Sequence, residues 1–117
     1  MDKSTAMNLL KNTYVPYVLI DGTKVKLTLA FYLLKLLEGK NPDLVDRYYK
    51  LSSKKDMRDL DMITVLYTAY CCANIDNDDM MDEETFMILV GSDRLSMKGL
   101  MNQLMGAKKK PDSKTLS

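Results

Sequence analysis

Residues 18–28 constrain the fold most, because they have the pattern of a β-hairpin that leads directly into a helix. The pair Asp21-Gly22 is preferred in a two-residue type I′ turn, since both central positions of that turn need a positive φ. This turn predicts two cross-strand pairs, Ile20 with Thr23 and Val18 with Val25. The first folded element of the chain is therefore predicted to be an antiparallel hairpin.

Alternation along the two strands assigns every hairpin side chain to one of two faces. The face predicted to be buried carries Val18, Ile20, Val25, Leu27 and Leu29, and the opposite face carries Leu19, Lys24, Lys26 and Thr28. An isolated hairpin is only marginally stable in water, so its apolar face is expected to pack on the helices that follow.

Five short helices are predicted after the hairpin from apolar periodicity and from residues that start or end helices. They cover about residues 29–38, 42–51, 56–73, 82–90 and 93–105. The first is apolar nearly all round, which predicts a central position, and Gly39 is expected to end it. Gly106 is expected to end the last helix. Asn41 and Asp82 are the predicted N-caps of the second and fourth helices.

The length of 117 residues is typical of one domain. We expect a flexible N-terminal arm at 1–13, a single globular domain at 14–106 with the hairpin at 14–29, and a basic disordered tail at 107–117. The predicted fold class is α+β and mostly α, with the N-terminal hairpin packed on a bundle of about five short helices.

Charge and hydropathy narrow the class of protein. The net charge of +1 is not that of a nucleic-acid-binding protein, which needs a dense field of lysine and arginine. No apolar run approaches the roughly 20 residues that span a bilayer, and no leader peptide is recognisable, so a cytoplasmic protein without a membrane partner is expected. Cys71 and Cys72 are adjacent within an apolar helical pattern and are predicted to be reduced core residues.

No catalytic or metal-binding pattern is present in the sequence. The chain has no histidine, which excludes imidazole chemistry. The acidic segment 74–87 fails the EF-hand spacing, because the sixth and twelfth positions are Asp79 and Thr85 in one register and Met81 and Met87 in the other. We therefore predict no metal, no cofactor and no enzymatic activity.

Methionine is unusually frequent, with ten residues, of which six lie between Met80 and Met105. Methionine-lined surfaces adapt to varied apolar partners, whereas methionines between short helices can simply fill the core. Both interpretations stay open for this chain. The candidate partner-binding residues lie on the last helix, and they are Met97, Leu100, Met101, Leu104 and Met105.

The order of these elements resembles the tail assembly chaperones of long-tailed bacteriophages. The resemblance covers residues 15–105 and rests on the Asp-Gly hairpin, LLEGK at 36–40, LYTAY at 66–70 and MDEETF at 81–86. It implies a self-associating, non-enzymatic protein of the host cytoplasm that is absent from the finished virion. Such a protein binds the tape measure protein, keeps it soluble and promotes tail tube assembly, with the tail tube protein as a possible second partner.

A second class of function stays open on the same residues. A small adaptor or regulatory protein of a bacterium or mobile element would also bind one protein partner through its helical face. A long helical reading frame immediately downstream of the gene would favour the chaperone, and a metabolic or transcriptional operon would favour the adaptor.

Overall fold

The computed structural model describes residues 1–108 and shows a mostly helical α+β fold. Its elements in chain order are α1 (Lys3–Leu10), a 3-10 turn (Lys11–Thr13), β1 (Val15–Val18), β2 (Lys24–Leu27), α2 (Phe31–Lys40), α3 (Pro42–Ser52), α4 (Asp59–Ala73), α5 (Glu83–Val90) and α6 (Arg94–Lys108). The predicted fold class, with a hairpin near the N-terminus followed by short helices, is confirmed.

Helix α4 lies at the centre of the fold, since α2, α3, α5, α6 and β2 all pack against it. Eleven of its residues are buried, including both cysteines, which are free thiols as predicted. The prediction of α2 as the central helix is wrong. Only Leu33, Leu34 and Leu37 of α2 are buried, and Phe31 is 70% exposed, because α2 presents one face to the core and the other to solvent.

An aromatic cluster fixes α5 against α4. The rings of Tyr67 and Tyr70 lie 5.5 and 5.2 Å from that of Phe86, which is fully buried. Both tyrosine hydroxyls also hold the loop before α5: Tyr67 donates to the carbonyl of Met81 at 3.1 Å, and the Met81 amide donates to Tyr70 at 2.9 Å. We call residues 74–82, between α4 and α5, the acidic loop. These contacts hold the C-terminal end of the acidic loop against the core.

The hairpin forms at the predicted place but in a different register. Val18 pairs with Lys24 and Tyr17 with Val25, one residue away from the predicted pairing. The amide of Gly22 donates to the Leu19 carbonyl at 2.9 Å, and the φ of Gly22 is 89°. The connection is therefore a three-residue loop with a glycine bulge, and no non-glycine residue in the described part of the chain has the positive φ that a type I′ turn requires.

This one-residue shift reverses the predicted faces of the first strand. Leu19 is buried at 2% exposure, whereas Val18 and Ile20 are 55% and 67% exposed. On the second strand the prediction holds for Leu27, which is fully buried, and Thr28 is buried against expectation. The core face of the hairpin therefore carries Val15, Tyr17, Leu19, Val25 and Leu27.

Several predicted helix ends are confirmed and others are displaced. Asn41 and Asp82 cap α3 and α5 as predicted, accepting hydrogen bonds from the amides of Leu44 and Thr85. Gly39 does not end α2, and Gly106 does not end α6, because neither adopts a positive φ and each helix continues past its glycine.

The structure describes all of the predicted N-terminal arm but only the first two residues of the predicted C-terminal tail. No helix was predicted within residues 1–13, but α1 is present there, with the Asp2 carboxylate accepting from the Thr5 amide at 2.8 Å. The predicted tail at 107–117 lies outside the described residues from 109 onward, and its first two residues belong to α6.

An ion pair between the exposed Lys54 and the buried Asp61 carboxylate joins the loop before α4 to the first turn of that helix. The Asp61 carboxylate accepts from Lys54 Nζ at 2.7 Å and from the amide of Arg58 at 3.1 Å. These hydrogen bonds lower the pKa of Asp61 to about 2.

Within residues 1–108, no helix combines the length and the apolar character that a membrane span requires.

Candidate protein-interaction site

The structure places the predicted partner-binding stripe of α6 largely in the core. Met97, Leu100 and Leu104 are only 3%, 4% and 1% exposed. The stripe faces inward because α6 packs on α4, on β1 and on the 3-10 turn. The expectation that this stripe is an exposed binding surface is therefore wrong for these three residues, and the core interpretation of the methionines holds for Met97.

The other two predicted residues, Met101 and Met105, are half-buried and pack against the same core. Over residues 94–106 the outward face of α6 is polar apart from the exposed Leu95, with exposed Lys98, Asn102 and Gln103. This described part of α6 therefore presents no continuous apolar surface to a partner.

A groove between α1 and α2, lined partly by apolar side chains and partly by polar groups, is the better candidate. It has a volume of about 520 Å³ and is lined by Met7, Leu10, Tyr14, Tyr32, Leu33, Leu36 and residues 73–77. We call this surface the α1–α2 groove. Its three most accessible apolar side chains, Met7, Tyr32 and Leu36, are 40%, 40% and 37% exposed.

Helical spacing explains why these side chains line one groove. Tyr32 and Leu36 are four residues apart on α2, so they lie one above the other on its outer face. Met7 and Leu10 are three residues apart on α1 and form the facing wall. Leu33 is buried at 3% exposure and closes the floor.

Helix α1 is the less firmly held wall of the groove. None of its residues is buried, and it packs mainly against the 3-10 turn that follows it. Thr13 in that turn connects it to the hairpin through a 2.6 Å hydrogen bond to the buried Thr28 hydroxyl. A helix with so little buried surface can shift to fit a partner at low cost.

One end of the groove is polar. Residues 73–77 comprise the last residue of α4 and the four that follow it, and Asp76 is the charged side chain among the groove-lining residues. Partial burial raises the pKa of the neighbouring Tyr14 hydroxyl, and the negative charge of Asp76 raises it further. A partner with a basic residue at one end of an apolar segment would match this distribution of charge.

The acidic loop and the cysteines have other roles in the described part of the chain. No three acidic, cysteine or histidine side chains between residues 1 and 108 come together as metal ligands. Asp82 is occupied as the α5 cap, and Asp78 and Asp79 face solvent. Burial raises the pKa of the Cys71 thiol to about 11, so it is not a thiolate nucleophile at neutral pH.

Sequence reasoning missed the α1–α2 groove because it assigned no helix before the hairpin. The available signal was Asp2 as an N-cap, followed by a run with Met7 and Leu10 at helical spacing. Tyr32 and Leu36 form the other wall on α2. Because α2 was predicted to be a central helix, these two side chains were not expected to face outward.

Comparisons of the chain with models of protein families, with curated proteins and with solved structures give no match.

Proposed function

We propose that the protein is a tail assembly chaperone of a long-tailed bacteriophage, which binds the tape measure protein, keeps it soluble and promotes assembly of the tail tube. The observation that carries this proposal is the α1–α2 groove, a solvent-exposed surface whose two helical walls present apolar side chains. The resemblance of the element order to that family adds to it. Under this proposal the protein works in the host cytoplasm, is absent from the virion, and needs neither a cofactor nor a catalytic group.

The groove suits one face of an amphipathic helix. Helix-in-groove recognition uses anchors at spacings of three, four and seven residues, and anchors three or four residues apart lie about 5–6 Å from each other. Tyr32 with Leu36 and Met7 with Leu10 supply two walls with the same periodicity. A long tape measure helix, which exposes apolar stripes before the tube encloses it, is a partner of this kind.

The exposed area in the groove is large enough to matter for affinity. Burying one such side chain completely contributes about 1.5–3 kcal/mol, so the roughly 40% still exposed on each leaves about 0.6–1.2 kcal/mol. Met7, Tyr32 and Leu36 together then contribute about 2–3.5 kcal/mol, or about 30- to 400-fold in the dissociation constant. Repetition of the site by self-association would multiply this effect along a long partner.

Self-association is part of the proposal. Several large apolar side chains remain well exposed outside the groove, among them Phe31 at 70%, Ile88 at 64% and Leu95 at 81%. Contact between copies would cover some of this surface. Light scattering over a range of concentrations should show a species larger than the 13.4 kDa chain, and a strict monomer at high micromolar concentration would contradict this part.

Co-expression tests the proposed function. The partner is the long helical protein encoded directly downstream, and the measurement is its soluble fraction with and without this chain. The paired variant Tyr32→Lys with Leu36→Lys should lose the solubilising effect. The aliphatic part of each lysine still covers the surface of α2, so the fold is kept, but its ammonium group puts a positive charge in the groove. The matched control is the paired variant Tyr49→Lys with Leu60→Lys, which makes the same change at two exposed apolar residues on α3 and α4 outside the groove and should act like the wild type.

Two outcomes would contradict the proposal. If the groove variant solubilises the partner as well as the wild type does, the binding face lies elsewhere. If the downstream gene encodes no such protein, an adaptor with another partner replaces the chaperone.

A further inference from the structure

The outer edge of β2 is unpaired over two residues. The Leu19 amide donates to the Thr23 carbonyl at 2.8 Å, and this bond sets the alternation of the ladder. Val25 and Leu27 then point their backbone groups toward β1, and Lys24 and Lys26 point theirs away from it. In the part of the chain that the structure describes, no other backbone group bonds to the amides or carbonyls of these lysines.

A cleft in the described chain is lined by both strands of the hairpin, by the end of α4 and by the loop that follows α4. The Thr28 amide, next along the outer edge of β2, donates to the carbonyl of Ala69 in α4 at 3.1 Å, so α4 covers the edge at that residue. The cleft has a volume of about 1000 Å³, with Lys24, Val25 and Lys26 of β2 and residues 73–74 at the end of α4 among its lining. We call it the β2 cleft, and its lining residues are Pro16, Tyr17, Val18, Thr23, Lys24, Val25, Lys26, Tyr70, Ala73, Asn74, Asn77, Asp79 and Met81.

The walls of the β2 cleft include apolar side chains, the two lysines of β2 and one carboxylate, that of Asp79 in the loop after α4. Tyr17 and Val25 are half-buried and lie on the core face of the hairpin. The lysines at 24 and 26 are exposed on the opposite face, and neither has an ion-pair partner in the described chain. A strand placed beside β2 would thus meet lysines on one face and an apolar wall on the other.

We propose that β2 accepts an extended segment of a partner protein as a third strand, and that this segment alternates acidic and apolar residues. Its backbone would pair with the free groups of Lys24 and Lys26, its carboxylates would lie beside their ammonium groups, and its apolar side chains would enter the β2 cleft. This interaction is distinct from helix binding in the α1–α2 groove, so it goes beyond the proposed function.

The charges argue against a second copy of the chain as the occupant. Pairing β2 with β2 of another copy would set lysine against lysine, which destabilises a strand pair. The outer edge of β1 is a poorer acceptor, because Pro16 there has no amide hydrogen and α6 packs against that strand.

A titration of the ¹⁵N-labelled full chain with the capped peptide Glu-Val-Glu-Val-Glu tests the proposal. The amide resonances of Lys24 and Lys26 should shift most, with those of Val25 and Ala73. The paired variant Lys24→Glu with Lys26→Glu should weaken binding at least about tenfold, since two attractive pairs become repulsive. The matched control Lys35→Glu with Lys98→Glu makes the same charge change on α2 and α6 and should bind like the wild type.

Two N-methylated forms of the peptide separate strand pairing from simple charge attraction without altering the protein. One form carries methyl groups on the amides of the valines and the other on those of the second and third glutamates. Only one set of amides faces the protein in a strand pair, so one form should lose binding and the other keep it.

Three results would overturn the proposal. Equal binding by the two methylated forms would exclude a strand pair, and shifts confined to residues outside the cleft would exclude the site. Absence of binding would also refute it, and the lysines would then serve only to protect an exposed edge from aggregation.

Discussion

Replacing Met97 by alanine should strongly destabilise the protein, although sequence patterns favoured this residue as part of an exposed surface. Met97 is 3% exposed on the inner face of α6. Truncating a buried methionine costs about 2–5 kcal/mol from lost burial and the cavity left behind. Domains of this size are stable by about 5–15 kcal/mol, so the change removes a large part of the total.

Leu95 is the matched position for this experiment, because it lies two residues earlier on the same helix and is 81% exposed. Leu95→Ala should change stability by no more than about 0.5 kcal/mol. Urea unfolding followed by circular dichroism measures both variants, and with a slope of about 1.5 kcal/mol/M the midpoint of Met97→Ala should fall by about 1–3 M. If both variants unfold with the wild-type midpoint, α6 does not pack on α4 as described.

Three further predictions concern stability and thiol chemistry. Gly91→Ala should lower the free energy of unfolding in urea by about 1–3 kcal/mol, because Gly91 has φ 81° and ψ −156° and an added Cβ would lie 2.9 Å from Ile20 Cγ2. Adding Ile20→Ala removes that contact but not the backbone strain, so it should restore only part of the stability, and full recovery would show that the backbone is unstrained. The pKa of the Asp61 carboxylate is lowered from 3.8 to about 2 in the fold, so this group stabilises the protein above pH 3.8 and the stabilisation is lost as the pH falls toward 2. Between these pH values the melting temperature of Asp61→Asn should fall less than that of the wild type, and identical pH profiles would refute the role of the Lys54 contact. Cys71 and Cys72 should resist a thiol reagent such as DTNB in the native state and react once urea unfolds the chain, because both are buried and the pKa of Cys71 is raised to about 11; rapid labelling without denaturant would contradict this.

Local signals predicted the helices well where capping residues were present. Asn41 and Asp82 were recognised because their short side chains accept amide hydrogen bonds at helix starts, and the structure has both bonds. The predictions that α2 ends at Gly39 and α6 at Gly106 were wrong. Glycine ends a helix where the chain needs a positive φ, and tertiary packing decides where that is.

In the hairpin, the type of turn decides which side chains of the first strand face the core. Asp-Gly occurs both in a two-residue type I′ turn and, with Gly22 as the bulge residue, in the three-residue loop observed here. The two loops differ in register by one residue, and only contacts with the rest of the fold select between them. The Ile20 amide donates to the Leu89 carbonyl at 2.9 Å, a contact 69 positions away that no local pattern contains.

The candidate site was harder to predict than the fold, because exposure depends on which elements cover which. The apolar period of α6 correctly identified Met97, Leu100 and Leu104 as one face, but the same period describes a buried face and a binding face. The α1–α2 groove required the position of α1 against α2, which are separated by the hairpin in the chain. Its walls could be found only in three dimensions.

Hydrogen exchange of the protein with and without its helical partner tests the proposed binding face most directly. If the partner helix lies in the α1–α2 groove, backbone amides of α1 and of the outer face of α2 should become protected, because α1 has no buried residues and should exchange quickly when free. Protection confined to α6, or no added protection in α1 and α2, would contradict the proposed site.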